Sequence, residues 1–164
     1  MVKLEIIKNK IYCREVLLKQ VAIWRLNSKR IVFTNGCFDL LHRGHIDYLS
    51  RAADLGDVLV LGLNSDVSIK KLNKGTNRPI QKENDRALVL ASLQFINAVI
   101  LFEEATPCHL IEVLQPDVLV KGGDWKEDAI VGADMVKANG GLVTILPFVE
   151  GYSTTAIEHR IKNS

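Results

Sequence analysis

Five short, almost wholly apolar runs recur through this chain, and the segments between them carry apolar residues at helical spacing. The runs are Arg30 to Thr34, Val58 to Leu63, Ala98 to Phe102, Val118 to Val120 and Leu142 to Leu146. Runs of this length without polar alternation read as strands buried on both faces. Strands that alternate with helices lie parallel and are joined by right-handed crossovers. The pattern predicts an α/β fold with a doubly wound, parallel five-stranded sheet of Rossmann-like form. With 164 residues, 48% of them apolar, the chain is long enough for one hydrophobic core. Residues 1–29 precede the first strand and predict an N-terminal helical extension; residues 30–164 form the expected domain.

The helices follow from spacing and caps. Val16, Leu17, Val21, Ile23 and Trp24 give an amphipathic pattern over residues 14–26. Ile46, Leu49, Ala52 and Ala53 recur at three and four, with Gly56 as the stop. Asn64, Ser65 and Asp66 can cap a helical turn starting at Val67, and Asn84 or Asp85 can cap a helix running through Leu93. Further helices are expected at about 107–114, 130–139 and 154–162.

Charge and cysteine usage remove several classes of function. The 21 basic and 19 acidic side chains leave a net charge of +2 and are spread along the chain, without the dense basic face that duplex binding needs. Nucleic acid is therefore not an expected partner. Cys13, Cys37 and Cys108 lie far apart and suggest neither a disulfide framework nor a CxxC metal knuckle. Met1 to Lys10 lack the apolar core of a signal peptide, and no later stretch reaches the roughly 18 apolar residues of a membrane span. The expectation is a soluble cytoplasmic protein with no membrane partner.

In open parallel sheets, ligands bind beyond the carboxyl ends of the strands, so the loop after the first strand matters most. It contains His42 and His45, three apart and separated by Gly44, at the start of an expected helix. Such a pair can point into one crevice, while Gly44 lets a phosphate approach the backbone and the helix N-terminus favours anionic oxygens. Two other readings compete: the histidines cap and pack the helix start, or they share a zinc ion with a distant third ligand.

At these residues the chain resembles the cytidylyltransferase-like nucleotidyltransferases, marked by T-x-G-x-F-D-x-x-H-x-G-H and a late S-T-T. Here the first is Thr34, Gly36, Phe38, Asp39, His42, Gly44 and His45, and the second is Ser153, Thr154 and Thr155. Within that superfamily the chain is most similar to the D-glycero-β-D-manno-heptose 1-phosphate adenylyltransferases. The likeness runs from about Arg30 to the C-terminus through Gly62 to Asp66, Arg78-Pro79, Asp85-Arg86, Phe102 to Glu104, Asp117 to Asp124 and Glu150 to Thr155. The combination of Thr34-Asn35-Gly36 with Val120-Lys121-Gly122-Gly123-Asp124 is its most discriminating part.

The resemblance implies a nucleotidyltransferase fold and a reaction. A sugar 1-phosphate attacks the α-phosphorus of ATP in line, pyrophosphate leaves, and ADP-heptose forms for lipopolysaccharide core assembly. Positioned donors and cations supply most of the catalysis in such transfers. His42 and His45 would donate to phosphoryl oxygens, with Lys74 as a catalytic cation. Thr34, Asn35, Gly36, Phe38, Asp39, Gly44, Arg86, Gly122, Ser153, Thr154 and Thr155 would hold the nucleotide. Asn64, Asp66, Lys71, Lys121 and Asp124 would meet the substrate. Arg86 can instead pair with Asp66 or Asp85, Asp39 can hold its loop, and one hydroxyl of Ser153 to Thr155 can serve as a helix cap. Magnesium is implied by the triphosphate and would ride on its phosphates, since no carboxylate cage stands out and no protein metal ligand is expected. The family also suggests a homo-oligomer, a dimer or larger.

Two positions depart from relatives. Glycerol-phosphate cytidylyltransferases carry an Arg-Thr pair where this chain has Phe148-Val149, and Glu158 replaces a basic residue found in some relatives. The alternatives are a CTP-dependent enzyme acting on glycerol 3-phosphate or another alcohol phosphate, and a non-catalytic nucleotide-binding sensor. A dinucleotide oxidoreductase is disfavoured because GxGxxG and Walker A segments are absent.

Overall fold

The computed structural model describes residues 2–72, 78–123 and 125–163. In chain order the elements are α1 (Lys3–Lys8), β1 (Ile11–Tyr12), α2 (Arg14–Leu26), β2 (Ile31–Gly36), α3 (Arg43–Ala53), β3 (Val58–Asn64), α4 (Asp66–Lys71) and α5 (Glu83–Ala91). They continue with β4 (Ala98–Phe102), α6 (Cys108–Leu114), β5 (Val118–Gly122), α7 (Ala133–Ala138), β6 (Leu142–Leu146) and α8 (Thr154–Lys162). All five expected strands form, and every pairing is parallel.

The sheet has six strands in the order β1-β4-β3-β2-β5-β6. The additional strand is β1, whose Ile11 and Tyr12 pair with Val99 and Ile100 on the edge of β4. Two residues carry no apolar run of their own, so the pairing is recruited by tertiary contact and leaves no periodic trace. Residues 2–29 thus supply both an edge strand and a core helix to the same sheet. On α2 the buried stripe is Leu17 and Val21, with Trp24 partly packed beside them. Val16 and Ile23, also expected to face inward, are 51% and 50% exposed, because they fall on the neighbouring face of a helix with 3.6 residues per turn.

Each sheet face buries its own core. One face packs Phe33, Val60 and Leu119 against Leu17 and Val21 of α2, Leu110 and Leu114 of α6 and Val136 of α7. The other packs Val32, Leu61 and Val120 against Tyr48, Leu49 and Ala52 of α3 and Leu90 of α5. Every residue of β3 is buried, as expected of a central strand covered on both faces. The chain runs outward from β2 to β4 in one direction, then returns to place β5 on the opposite side of β2. The carboxyl end of β2 is therefore the topological switch point, where connections diverge and leave a crevice.

Local details differ from expectation at two helix starts. Helix α5 begins after Lys82, which makes no side-chain cap, so neither Asn84 nor Asp85 caps it. Helix α7 starts only at Ala133, because Gly132 in the left-handed region (φ 86°) interrupts the turn before it. Ser65 caps α4 as expected, its hydroxyl accepting from the Ser68 N–H at 3.1 Å.

Candidate active site

A cavity of about 760 Å³ opens over the carboxyl ends of the strands. Its wall contains Asn35, Gly36, Phe38, Asp39 and His45 from β2 and the following loop, Asn64 from β3, Lys121 and Gly122 from β5, and Thr154 and Thr155 from α8. The topology thus brings ten of the expected site residues, from four separate elements, into one crevice.

His42 sits at the N-cap of α3, where its Nδ1 accepts the His45 backbone N–H at 3.3 Å. A neutral His42 ring therefore carries its proton on Nε2. The His45 ring stacks on it with centroids 3.8 Å apart and planes 19° from parallel. Phe38 closes the other side, edge-on to His45 at 5.2 Å. The His45 Nδ1 is buried without a well-formed hydrogen bond. Burial first, then repulsion from His42, pushes the His45 imidazole down to about 4, against a weaker opposing pull from the Leu40 carbonyl. Burial lowers His42 as well. Both rings are neutral at physiological pH in the ligand-free chain.

Gly44 lies buried beneath this pair. A Cβ there would come within 3.1 Å of both His42 Nδ1 and Tyr152 Cβ, so the missing side chain makes room for the histidine ring and Tyr152. Ser153 caps α8, its hydroxyl accepting from the Ala156 N–H at 3.0 Å. Thr154 and Thr155 form the first turn of α8, where backbone N–H groups have no helical acceptor and the helix dipole favours anions.

Several expected ligand contacts are instead supports. Thr34 is fully buried, and its hydroxyl lies 2.6 Å from the Tyr48 phenol, which donates to the Val120 carbonyl at 3.3 Å. Thr34 braces the cavity floor from behind, since no ligand reaches a side chain with no exposed surface. Arg86 is also fully buried. Its Nε donates to the Gln81 carbonyl, Nη1 to the Cys37 and Asn64 carbonyls at 2.6 and 2.9 Å, and Nη2 to Asp66 Oδ1 at 2.7 Å. These bonds tie the ends of β2 and β3 to α4 and α5, with Asp66 as the counterion. Buried charge is tolerated only when paired and hydrogen-bonded in this way.

Asp39, although in the cavity wall, is 4% exposed. Its carboxylate accepts the Ile80 and Gln81 backbone N–H groups at 2.9 Å and Arg78 at 3.3 Å, so it holds its loop. Asn64 donates to the Ser68 hydroxyl at 2.9 Å, and Lys121 donates to the Asn35 carboxamide oxygen. Lys71 is exposed and reaches the Glu103 carbonyl at 3.0 Å, outside the cavity wall. Lys74 and Asp124 lie outside the described residues. Among the described residues no group of three metal-ligating side chains gathers, and no helix is long and apolar enough to cross a membrane.

Residues 33–160 match the family model described as cytidylyltransferase-like. The chain belongs to the cytidylyltransferase-like family. It is 52% identical over 143 residues to the bifunctional protein HldE of Magnetococcus marinus, covering 87% of this chain and 29% of that protein. The HldE of Koribacter versatilis is 53% identical over 148 residues, covering 90% of this chain and 30% of that one. The chain thus spans about three tenths of the length of these curated relatives. A lipopolysaccharide core biosynthesis protein from Thermoplasma volcanium superposes with a TM-score of 0.60 at 29% identity, over 76% of this chain and 99% of that one. Pantoate-beta-alanine ligase from Francisella tularensis shares the fold, with a TM-score of 0.57 at 16% identity over 93% of this chain and 76% of that one.

In this cytidylyltransferase-like chain the cavity also enlists residues that sequence reasoning left without a role. Tyr48 forms part of the wall, and burial pushes its phenol up to about 12. Arg78 spans Asp39 and Glu158 of α8, at 3.3 and 3.0 Å. Glu158, noted as a departure, is thereby the partner of an arginine 80 positions earlier in the chain. Trp125 and Phe148 are large, more than half exposed and in the wall. The visible signal for these two was apolar side chains in segments otherwise rich in glycine and polar residues.

Proposed function

We propose that this chain transfers AMP from ATP to D-glycero-β-D-manno-heptose 1-phosphate, giving ADP-heptose and pyrophosphate for lipopolysaccharide core biosynthesis. The observation that carries the reading is the stacked His42–His45 pair at the start of α3, with His45 in the same cavity wall as Thr154 and Thr155 of α8. The family, the identity of about half with HldE proteins, and the likeness to a lipopolysaccharide core biosynthesis protein support the choice of substrates.

In this reading the acceptor phosphate is already ionised and needs no general base. Its oxygen bonds to the α-phosphorus of ATP while the bond to the bridging oxygen breaks, and pyrophosphate leaves with the electron pair. His42 donates from Nε2 to a phosphoryl oxygen, and His45 offers its nitrogen beside it, where charge grows in the transition state. Thr154, Thr155 and the free N–H groups of α8 hold the leaving phosphates. Lys121 and Asn35 contact the nucleotide side and Asn64 the acceptor side.

Magnesium, when bound, neutralises charge on the triphosphate. Among the described residues, the buried carboxylate in the cavity wall is that of Asp39, already committed to Arg78 and two backbone N–H groups, so this donor set fits a metal that arrives on the nucleotide. The same reading takes residues 30–164 as the catalytic unit with 1–29 packed on it, acting in the cytoplasm as a homo-oligomer.

Mass spectrometry of a reaction containing ATP, magnesium and heptose 1-phosphate tests the proposal. A product with the mass of ADP-heptose is expected. Unchanged sugar phosphate, under conditions where the protein is folded, would contradict it.

A further inference from the structure

The geometry points to Phe148 as the residue that selects the nucleotide base, by presenting a fixed aromatic face on which the base stacks. This rests on the nucleotidyl-transfer reading above and adds the residue responsible for base preference.

Phe148 follows β6 by two residues, next to the end of β5. Gly122 pairs in register with Leu146, and the Gly123 N–H donates to the Leu146 carbonyl at 2.9 Å, so the two strand ends are locked together. The Phe148 ring lies directly on Gly122: a Cβ at that position would overlap the ring and also approach Tyr48 to 3.0 Å. A Cβ at Gly123 would come 3.0 Å from the same ring. Gly122 therefore serves as a seat for an aromatic ring. Tyr48 braces the ring edge-on, with centroids 5.8 Å apart and planes at 68°, and Tyr48 is itself fixed by Thr34 and Val120.

Despite these contacts, Phe148 is 56% exposed and in the cavity wall. A large apolar ring held on one side and open to a ligand cavity on the other is pre-organised for a flat partner, because its ordering cost is met in the free protein. The sheet order indicates which end of the ligand reaches it. The reacting phosphates lie at the histidine loop of β2, with β5 and β6 on one side and β3 and β4 on the other. The aromatic face is on the β5–β6 side, so the base takes that side. The hydroxyl-rich acceptor takes the β3–β4 side, where Asn64 lies. A purine offers more stacking area than a pyrimidine, so the platform favours ATP over CTP.

The test is calorimetric binding of a non-hydrolysable ATP analogue, its CTP counterpart and inorganic tripolyphosphate, each with magnesium, to wild type, Phe148→Ala and Phe148→Trp. Loss of one stacked base weakens binding by about tenfold or more. Phe148→Ala is expected to lose that factor for the ATP analogue and much of the ATP-over-CTP preference, while tripolyphosphate binds as in wild type. Phe148→Trp is expected to retain the ATP affinity. Unchanged ATP-analogue affinity in Phe148→Ala would overturn the assignment, and so would an equal loss for tripolyphosphate, which would mark a collapsed site. Wild type that binds tripolyphosphate but no nucleotide would overturn both this and the proposed function. Base-dependent binding without turnover of heptose 1-phosphate would contradict only the proposed reaction.

Discussion

The imidazole rings of His42 and His45 stack 3.8 Å apart, and the ring nitrogen of the first accepts the backbone N–H of the second. The hydrogen bond thus caps helix α3 and leaves the proton of a neutral His42 ring on Nε2. Removing the second ring tests its part in the chemistry: His45→Ala should lower turnover by about a hundredfold, the effect of deleting one transition-state donor. Thermal unfolding should show that the variant remains folded. Near-normal turnover would contradict the assigned role.

The same burial makes stability depend on pH. In the unfolded chain His45 titrates near its ordinary value of 6.5, whereas in the fold it is held at about 4. Between these values the unfolded state binds more protons, so stability falls as pH drops through 6.5 and continues to fall until about pH 4. From pH 7 to pH 5 the His45 contribution is a loss of about 2 kcal/mol. Denaturant titrations of wild type and His45→Asn at both pH values isolate it, because the variant lacks this part of the decline. Identical pH dependence in the two proteins would contradict the burial argument.

Arg86 is expected to matter for folding before it matters for ligands. Arg86→Ala strands the buried Asn64 carbonyl, the part-buried Cys37 and Gln81 carbonyls and the Asp66 carboxylate, and should cost about 3 kcal/mol or more. Urea unfolding without nucleotide measures this. A direct nucleotide contact would give the opposite pattern, with unchanged ligand-free stability and weaker ATP binding.

Thr34 provides a milder test of the same distinction. Thr34→Val keeps the shape and removes the bond to Tyr48, at a cost of about 1 kcal/mol, while turnover stays within a few-fold of wild type. A loss of turnover without a loss of stability would return Thr34 to the nucleotide pocket.

These cases show what sequence carries and what it does not. The five long strands, α2, α3 and α8 each have a local signature, an apolar run or a cap, and they form where their residues place them. The histidine loop and the Ser153–Thr155 segment were legible because their chemistry is concentrated within a dozen residues. Strand β1 was not, since two residues pairing with β4 have no pattern to repeat. Thr34 and Arg86 belong to the right motifs, and Asp66 was legible as a partner for Arg86, yet the Tyr48 phenol 14 positions from Thr34 and the Cys37 carbonyl 49 positions from Arg86 are contacts that spacing does not encode. Phe148 read only as a departure until the fold placed it on Gly122.

Pyrophosphate release from purified protein with magnesium, pairing ATP or CTP with heptose 1-phosphate or glycerol 3-phosphate, distinguishes the assigned reaction from its alternatives in one assay. Release with ATP and heptose 1-phosphate, far above the other three pairs, is the predicted result. Release with CTP and glycerol 3-phosphate, or with no pair, would contradict AMP transfer to heptose 1-phosphate.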